Sequence, residues 1–409
     1  MSLLPQEARR IRLPRMIHVT QNFPDQHVED VYACTRERLR GEPAARLEAG
    51  ASVAVLVGSR GICRLAEVVK AAIDHLLEQG TRPYIVPSMG SHGGGVAEEQ
   101  RKIIEGYGVT EEAMGVPIRS NMETVVIGVS GEGIPVHMDY EASQADYIVP
   151  IVRIKAHTDF DGPIESGYCK MLAIGLGKHN GCARVHREGL GNFATVIPSV
   201  ASTVLERRRV PFGVGIIENA HEHVYAVHVT PGERFLDQEP ELLALSKRLM
   251  PRLCFPHIDV LVVERIGKDI TGAGMDPNIT GRSALGVSSC FSGPAITNIV
   301  ALSLTEGTHH NASGVGSADF ITRALFDDID LTATYTNCIA AGALRFCKIP
   351  AVLESEEEAL RAAIHTCPRV DPDQVKMVRI QDTLHLVDIQ VSESLVPYCE
   401  KEACFTVHR

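Results

Sequence analysis

Short apolar runs alternate with stretches of helical periodicity along the first 250 residues of the chain. Residues 51–57 (ASVAVLV) form a near-continuous apolar run, which predicts a buried strand. Residues 65–79 repeat apolar positions with the period of an amphipathic helix, and Gly80 follows where a helix-ending glycine is expected. The same pattern predicts strands at 83–87, 147–152 and 212–217, an edge or hairpin strand at 223–229, and helices at 97–107, 193–207 and 242–250. Strands alternating with helices are typical of a parallel α/β architecture.

A second α/β unit is predicted to begin shortly after Pro251 and Pro256, at the apolar run 258–263. Further helices are predicted at 318–326 and 356–365. We therefore expect an N-terminal domain at 1–251, a C-terminal domain at 252–395, and a tail at 396–409 that returns to the N-terminal domain. The predicted fold class is α/β, with two domains of mostly parallel sheets and a ligand cleft between them.

Length and composition narrow the class of protein. A chain of 409 residues exceeds the size at which one core keeps growing, which favours two domains. The net charge of −11 and the lack of a long basic run argue against a nucleic-acid partner. No apolar run approaches the roughly 18–20 residues that cross a bilayer, and the first residues lack the apolar core of a signal peptide. Eleven scattered cysteines without a C-x-x-C pair predict reduced thiols in a cytoplasmic protein.

Polar side chains follow three of the predicted strands directly. Because ligands of open α/β sheets bind beyond the carboxyl ends of the strands, these groups are expected to converge on one crevice. They are Ser59-Arg60, Ser91-His92 followed by three glycines, and Lys155 with His157. The last pair opens the run 155–189, which is rich in glycine and charge and is predicted to be a polar loop that approaches a ligand.

Two histidines at these strand ends are the candidates for acid/base chemistry. Imidazole titrates near neutral pH, and His92 and His157 both stand among small polar residues. Gly93, Gly94 and Gly95 precede a predicted helix, so their backbone N–H groups would suit a phosphate or another anion. A tight turn without a ligand is the plain alternative for these glycines.

The run 155–189 contains two further candidates. Lys170 stands among apolar residues, where partial desolvation would lower its pKa and make it a nucleophile or an attachment point, although an ordinary half-buried lysine is the plain alternative. His186 is a candidate metal ligand, but no second protein ligand accompanies it at a conventional spacing. Neither a dinucleotide fingerprint nor a Walker A lysine is present.

The predicted C-terminal domain carries its own glycine-rich loop, 267–282 (GKDITGAGMDPNITGR). It ends in Arg282, a residue type that binds carboxylates through two parallel hydrogen bonds. We expect the loop to close over the crevice and hold an acidic substrate. The alternative is a plain connecting segment.

The order of these landmarks resembles the lactate racemase family, whose members use a nickel-pincer nucleotide cofactor. The resemblance spans most of the chain and identifies it as a divergent subgroup. It rests on Ser59-Arg60, Gly90-Ser91-His92, Lys155-x-His157, Lys170 and His186. The resemblance implies that Lys170 carries the cofactor through a thioamide, with Lys178 as the rival lysine, and that His186 is the one protein ligand to nickel.

By the same resemblance, His92 and His157 are paired bases on opposite faces of a 2-hydroxy acid. The implied activity is racemisation or epimerisation by proton-coupled hydride transfer to and from the tethered cofactor. The resemblance implies that Arg60 contacts the nucleotide or the substrate, and that Arg282 with Asn278 holds the substrate carboxylate or distal groups. Ser59, Gly93 and Gly94 are further predicted contacts of the cofactor, and Lys268 is a further predicted contact of the substrate. The resemblance also implies the cofactor-synthesis proteins as partners, and a homo-oligomer is left open.

Two departures from the family bear on the substrate and on the turn after the first strand. Val57 stands where the family usually has an aspartate, and the chain has no tryptophan. The missing tryptophan favours a larger or more polar hydroxy acid than lactate. A nicotinamide-dependent oxidoreductase and a non-catalytic protein that binds a nucleotide or an acid are the alternative functions.

Overall fold

The computed structural model describes residues 4–41, 47–58, 61–283, 286–287 and 293–408. The chain divides into two compact units. Unit 1 comprises residues 1–24 and 251–409, and unit 2 comprises residues 25–250. Among the described helices, none combines the length and the apolar character that a membrane span requires.

The described strands are, in chain order, β1 (Met16–Gln21), β2 (Ser52–Val57), β3 (Arg82–Pro87), β4 (Thr124–Val129), β5 (Pro135–Asp139), β6 (Tyr147–Arg153), β7 (Phe212–Glu218), β8 (Val224–Pro231), β9 (His257–Ile266), β10 (Arg282–Ser283), β11 (Gly286–Val287), β12 (Ala295–Leu304), β13 (Phe320–Thr322), β14 (Ala351–Leu353), β15 (Met377–Ile380), β16 (Asp388–Ser392) and β17 (Phe405–Val407). The described α-helices are α1 (Gln6–Arg9), α2 (Val31–Leu39), α3 (Leu65–Glu78), α4 (Ala97–Gly106), α5 (Glu111–Met114), α6 (Tyr140–Ser143), α7 (Tyr168–Lys170), α8 (Lys178–His186), α9 (Phe193–Arg207), α10 (Phe235–Leu249), α11 (Pro277–Thr280), α12 (Arg323–Asp327), α13 (Leu331–Ala340), α14 (Glu356–His365) and α15 (Val396–Cys399).

Unit 2 is built on a five-stranded sheet in the order β3-β2-β6-β7-β8. The first four strands are parallel, and β8 pairs antiparallel with β7 at the edge. Both faces are covered by apolar clusters, which explains why these strands are continuous apolar runs and not alternating ones. The carboxyl ends of β2, β3, β6 and β7 therefore lie along one edge of the sheet.

Unit 1 is built on an eight-stranded sheet in the order β14-β13-β12-β9-β15-β16-β1-β17. Neighbouring strands from β14 to β15 are parallel. The strands β16, β1 and β17 continue the sheet in antiparallel pairs. The predicted α/β class with mostly parallel sheets is thus confirmed.

The ends of the chain differ from the predicted domain organisation. Residues 1–24, which we placed in the N-terminal domain, belong to unit 1 because β1 pairs with β16 and β17. The tail does meet the N-terminal strand, as β17, but both strands belong to the sheet of the C-terminal half. Long-range antiparallel pairing brings these distant segments together, and a local pattern does not encode it.

Most predicted elements are observed within a residue or two of their expected bounds. The helix predicted at 318–326 is wrong, since β13 and a short helix, α12, occupy that stretch. The hairpin β4–β5 was not predicted. The predicted polar loop at 155–189 is also wrong in its second half. Residues 168–186 form a helical segment in which a π-helical turn, Met171–Gly175, joins α7 to α8.

Candidate active site

The helical segment formed by residues 168–186, here called the site segment, lies against the loops that follow β2 and β3. Its glycines explain how the backbones approach so closely. A Cβ atom on Gly175 would lie 2.7 Å from the carbonyl oxygen of Ser88, so a larger residue does not fit there. The N–H of Gly90 donates to the carbonyl of Gly175 over 3.1 Å. Glycine in this run therefore serves helix packing against strand ends and not loop flexibility.

Lys170 and His186 stand near opposite ends of the site segment. Burial lowers the pKa of the His186 imidazole, but the hydrogen bonds and the charge interaction with Cys182 outweigh burial and leave that pKa raised. The ammonium of Lys170, which is half-buried at the end of α7, acts to lower the same pKa.

The His186 ring is oriented by Cys182, one helical turn earlier. Its Nδ1 lies 2.7 Å from the Cys182 carbonyl oxygen and 3.5 Å from the Cys182 thiol. The hydroxyl of Ser91 lies 3.6 Å from the same thiol. Because Nδ1 faces the protein in this way, Nε2 is the ring nitrogen oriented for a ligand. Ser91, which we predicted to follow the end of a strand, therefore contacts His186, the candidate metal ligand, through the Cys182 thiol.

Lys178 has a structural role. It is fully buried, its Nζ lies 3.2 Å from Oδ2 of Asp139, and it donates to the Pro87 carbonyl and to Gln100 Oε1. Gln100 in turn donates to the carbonyls of Gly90 and His92 over 2.9 and 3.0 Å. The buried Lys178 ammonium therefore holds the loop that carries His92, and the choice between Lys170 and Lys178 as the cofactor-bearing lysine stays a prediction.

His92 is exposed on this loop, and Gly93–Gly95 follow it as a short 3₁₀ turn. All three glycines have φ values between 63° and 69°, a backbone conformation that side chains with a Cβ rarely adopt. A Cβ on Gly93 would also press on the start of α4. The turn therefore requires glycine for its conformation, and anion binding by Gly93 and Gly94 stays a prediction.

His157 lies beyond β6, and a buried carboxylate holds its backbone. Oε2 of Glu165 accepts the His157 N–H over 2.5 Å, while Lys247 pairs with the same carboxylate. Burial raises the pKa of Glu165 despite that ammonium. On the side chain, Nδ1 of His157 accepts the Asp159 N–H over 3.0 Å. This network fixes both the loop and the ring.

Two phenylalanines connect His157 with His186. The ring of His157 lies 4.5 Å from that of Phe160, and Phe160 lies 5.4 Å from Phe193. The ring of His186 meets Phe193 edge-on at 5.1 Å. The acid/base candidate and the metal-ligand candidate thus border one aromatic cluster in unit 2.

The candidates in unit 1 are engaged within that unit. Arg282 donates to Asp319 Oδ2 over 2.5 Å and to the carbonyls of Ser317 and Thr297. Asn278 donates to Oδ1 of Asp276, and Lys268 donates to the side chain of Asn337. The structure therefore gives Arg282 a part in holding β12 and β13, and the substrate contacts of these three residues stay predictions. Ser59 and Arg60 lie outside the described residues.

Sequence reasoning missed two buried carboxylates that organise the site segment. Asp139, at the end of β5, pairs with Lys178. Glu239, on α10, accepts the backbone N–H of Cys169 through Oε2 over 2.9 Å at the start of α7. Burial raises the pKa of Glu239 to about 7. An acidic residue within an apolar helical face was the available signal for Glu239.

Comparisons with known proteins bear on the fold. No protein-family model matches the chain, and the search of curated proteins found no match. Among solved structures, the lactate racemase apoprotein from Thermoanaerobacterium thermosaccharolyticum is 11% identical, with 91% of this chain and 99% of that chain covered and a TM-score of 0.52. A protein from Thermotoga maritima is 13% identical, with 88% and 99% covered and a TM-score of 0.54. The chain therefore has the fold of the lactate racemase apoprotein, which confirms the resemblance at the level of the fold.

Proposed function

We propose that this protein is an isomerase that racemises or epimerises a 2-hydroxy acid, with a nickel-pincer nucleotide as its cofactor. The observation that carries the proposal is the presence of Lys170 and His186 near the two ends of one helical segment, within the fold of a lactate racemase. The half-buried Lys170 amine suits a covalent tether. Polar strand-end loops converge on the same segment, as an active site of this sheet type requires.

The donor set fits such a cofactor. His186 presents Nε2 because Cys182 occupies Nδ1, the outer contact that fixes a metal-binding imidazole. A cofactor that supplies its own carbon and sulfur donors needs one protein ligand, and His186 provides it without a second histidine. When bound, the nickel-pincer nucleotide supplies the acceptance and return of hydride.

The two histidines would handle the protons. His92 and His157 follow β3 and β6, which lie on either side of β2, so the two strand ends are roughly 10 Å apart. His92 and His157 lie in the loops beyond these strand ends, and we propose that a small hydroxy acid binds between their imidazoles. One ring accepts the hydroxyl proton, and the other, protonated, supplies a proton when hydride returns to the opposite face.

The position of Asp159 assigns the reacting nitrogen of His157. Its backbone N–H donates to Nδ1, and its Oδ2 lies 3.7 Å from the same atom. The neutral ring that accepts this N–H carries its proton on Nε2 and has no lone pair there. We therefore assign proton exchange to Nε2 in the tautomer whose proton is on Nδ1, in which Nδ1–H would donate to the Asp159 carboxylate in place of accepting the backbone N–H. We further propose that Lys268, Asn278 and Arg282 contact a substrate larger or more polar than lactate.

The test is production of the protein together with cofactor-synthesis proteins. Intact mass should reveal a covalent adduct, and metal analysis should find about one nickel per chain, as one tether and one ligand imply. The loaded protein should invert a chiral 2-hydroxy acid or aldonate in deuterated water while retaining the original carbon-bound hydrogen. Lys170→Ala should lose the adduct, whereas Lys102→Ala, on the exposed surface of α4, should keep it.

The histidine variants separate the roles. His92→Gln and His157→Gln should abolish inversion while retaining adduct and nickel, because neither residue is assigned to the metal. A Lys170→Ala variant that still carries the adduct would refute the tether. An unmodified chain that consumes a nicotinamide cofactor would instead support an oxidoreductase, and one that binds an acid without turnover would support a binding protein.

A further inference from the structure

A second group of potential metal ligands lies in unit 2, outside the site segment. Asp25, His27 and His223, here called the histidine cluster, each offer one ligand atom, and these atoms all lie within 4.8 Å of one another. Nδ1 of His223 lies 2.7 Å from Oδ1 of Asp25, and Nδ1 of His27 lies 3.5 Å from the same oxygen. The two imidazole rings are 4.7 Å apart.

An outer layer holds this cluster in place. The side chain of Asn219 is buried and makes four hydrogen bonds. Its Nδ2 donates to Asp25 Oδ1 over 3.2 Å and to the Gln26 carbonyl over 3.1 Å. Its Oδ1 accepts the backbone N–H groups of His221 and His223 over 2.9 and 3.1 Å. One buried amide therefore ties the two ligand-bearing segments together before any ion binds, as outer partners of metal sites do.

We propose that the histidine cluster is a divalent-cation site, suited to Zn²⁺ or Ni²⁺, distinct from the site of His186. Two imidazoles and one carboxylate form the ligand set that these ions favour over calcium or magnesium. Tetrahedral Zn²⁺ needs donor atoms about 3.3 Å apart, given ligand distances of about 2.0–2.1 Å. The side chains of Asp25 and His223 are 46% exposed and that of His27 is 30% exposed, so rotation about their side-chain bonds is available for reaching that spacing.

Nearby groups can complete the coordination. Oε1 of Glu29 lies 3.4 Å from Nε2 of His27, and the ring of His221 lies 6.2 Å from that of His223. Water supplies a remaining position where neither does. Asp25 also makes hydrogen bonds and ion pairs with the two imidazoles.

The histidine cluster lies where the chain enters unit 2, so a bound cation would link two segments of that unit. Asp25 is the first residue of unit 2, directly after the chain leaves unit 1, and His223 lies in the turn between β7 and β8. A bound cation would join the entry segment to the carboxyl end of β7. That end lies on the sheet edge that carries His92 and His157, so the cation would stiffen this edge without touching the proposed chemistry.

The experiment uses the untagged full-length chain, produced without cofactor-synthesis proteins and stripped with a chelator. Zn²⁺ and Ni²⁺ are added separately, and binding is measured by calorimetry and by competition with a chromophoric chelator. We expect about one equivalent to bind at pH 7.5 and to be released near pH 5, because the imidazoles must be unprotonated. Zn²⁺ should also raise the thermal unfolding midpoint.

The variants decide whether the cluster is the site. His27→Ala and His223→Ala should weaken binding by more than about 100-fold, and Asn219→Ala, which removes the four outer hydrogen bonds but no ligand, by about 10–100-fold. His310→Ala is the matched control, because His310 is an exposed histidine whose Nδ1 also lies 2.7 Å from an aspartate, Asp328. His310→Ala and His186→Ala should both bind like the unaltered protein.

Two results would overturn the proposal. The unaltered chain could fail to bind either ion at micromolar concentration, which would leave the cluster as hydrogen-bonded surface groups. Alternatively, binding could survive in His27→Ala and His223→Ala but vanish in His186→Ala, which would assign the cation to the proposed active site. Circular dichroism of each variant checks that the fold is retained. None of these outcomes depends on isomerase activity.

Discussion

Replacing Glu239 by glutamine should remove a pH dependence of the free energy of unfolding. We assign that dependence to the Glu239 carboxyl, which is buried against the start of the site segment. Glu239 is fully buried on α10, and its Oε2 accepts the Cys169 N–H at the start of α7. Among the described residues, its Oε1 has no hydrogen-bond partner, and it lies where a Cβ on Gly167 would collide with it. Burial of this kind disfavours the charged carboxylate.

The magnitude follows from the pKa. Burial raises the pKa of Glu239 from 4.5 to about 7. At about 1.4 kcal/mol per pKa unit, this change is worth about 3 kcal/mol. Because the folded state holds the proton more tightly, the contribution is complete below pH 4.5 and is lost as pH rises through about 7. The free energy of unfolding should fall by about 2.5 kcal/mol from pH 5 to pH 8 through this group.

The assay compares Glu239→Gln with the unaltered chain by urea unfolding at pH 5, 6, 7 and 8, followed by circular dichroism. Glutamine keeps the shape and the acceptor for Cys169 but does not ionise, so the stability difference between the two proteins should change by about 2.5 kcal/mol over this range. Glu241→Gln, an exposed position on the same helix, is the control and should show a constant difference. If the difference in free energy of unfolding between Glu239→Gln and the unaltered chain is also the same at every pH, the Glu239 carboxyl does not have the raised pKa that we assign to it.

Two further predictions concern the packing of the site segment. Lys178→Met should reduce the free energy of unfolding by about 3–5 kcal/mol because it leaves the Asp139 carboxylate buried and unpaired, whereas adding Asp139→Asn should restore part of the loss in a double-mutant cycle. If Lys178→Met is neutral, the buried pair does not have the role we give it. Gly175→Ala should cost about 1–3 kcal/mol, because its Cβ would lie 2.7 Å from the Ser88 carbonyl, and hydrogen exchange should accelerate in the site segment. Unchanged exchange there would contradict the close approach.

The elements of the parallel sheets could be predicted from the sequence because burial on both faces requires uninterrupted apolar strands. The bounds of α9 and α14 agree with the predicted ones, and those of β2 and β3 differ by one residue at one end. The prediction of a helix at 318–326 failed because a three-residue strand, β13, runs directly into a five-residue helix, α12, and both are too short to show a period.

In the site segment, the sequence predicted the candidate functional residues but not their helical conformation. Its lysines and histidines indicated a site, but its glycines suggested a loop. Those glycines instead permit contact with the Ser88 carbonyl and with the backbone of β5, partners that are remote in sequence. A glycine needed for close packing and one needed for flexibility look the same in a sequence.

The sequence by itself determined the α/β class, the strand ends at which His92 and His157 lie, and the presence of Lys170 and His186 in one run. These features depend on local periodicity and on residue type. Only the tertiary structure decided that β1 joins the sheet of the C-terminal half, that Lys178 is buried against Asp139, and that Asp25 and His27 meet His223. Each of these depends on groups far apart in the chain, whose pairing is selected by the burial and hydrogen bonding of the whole fold.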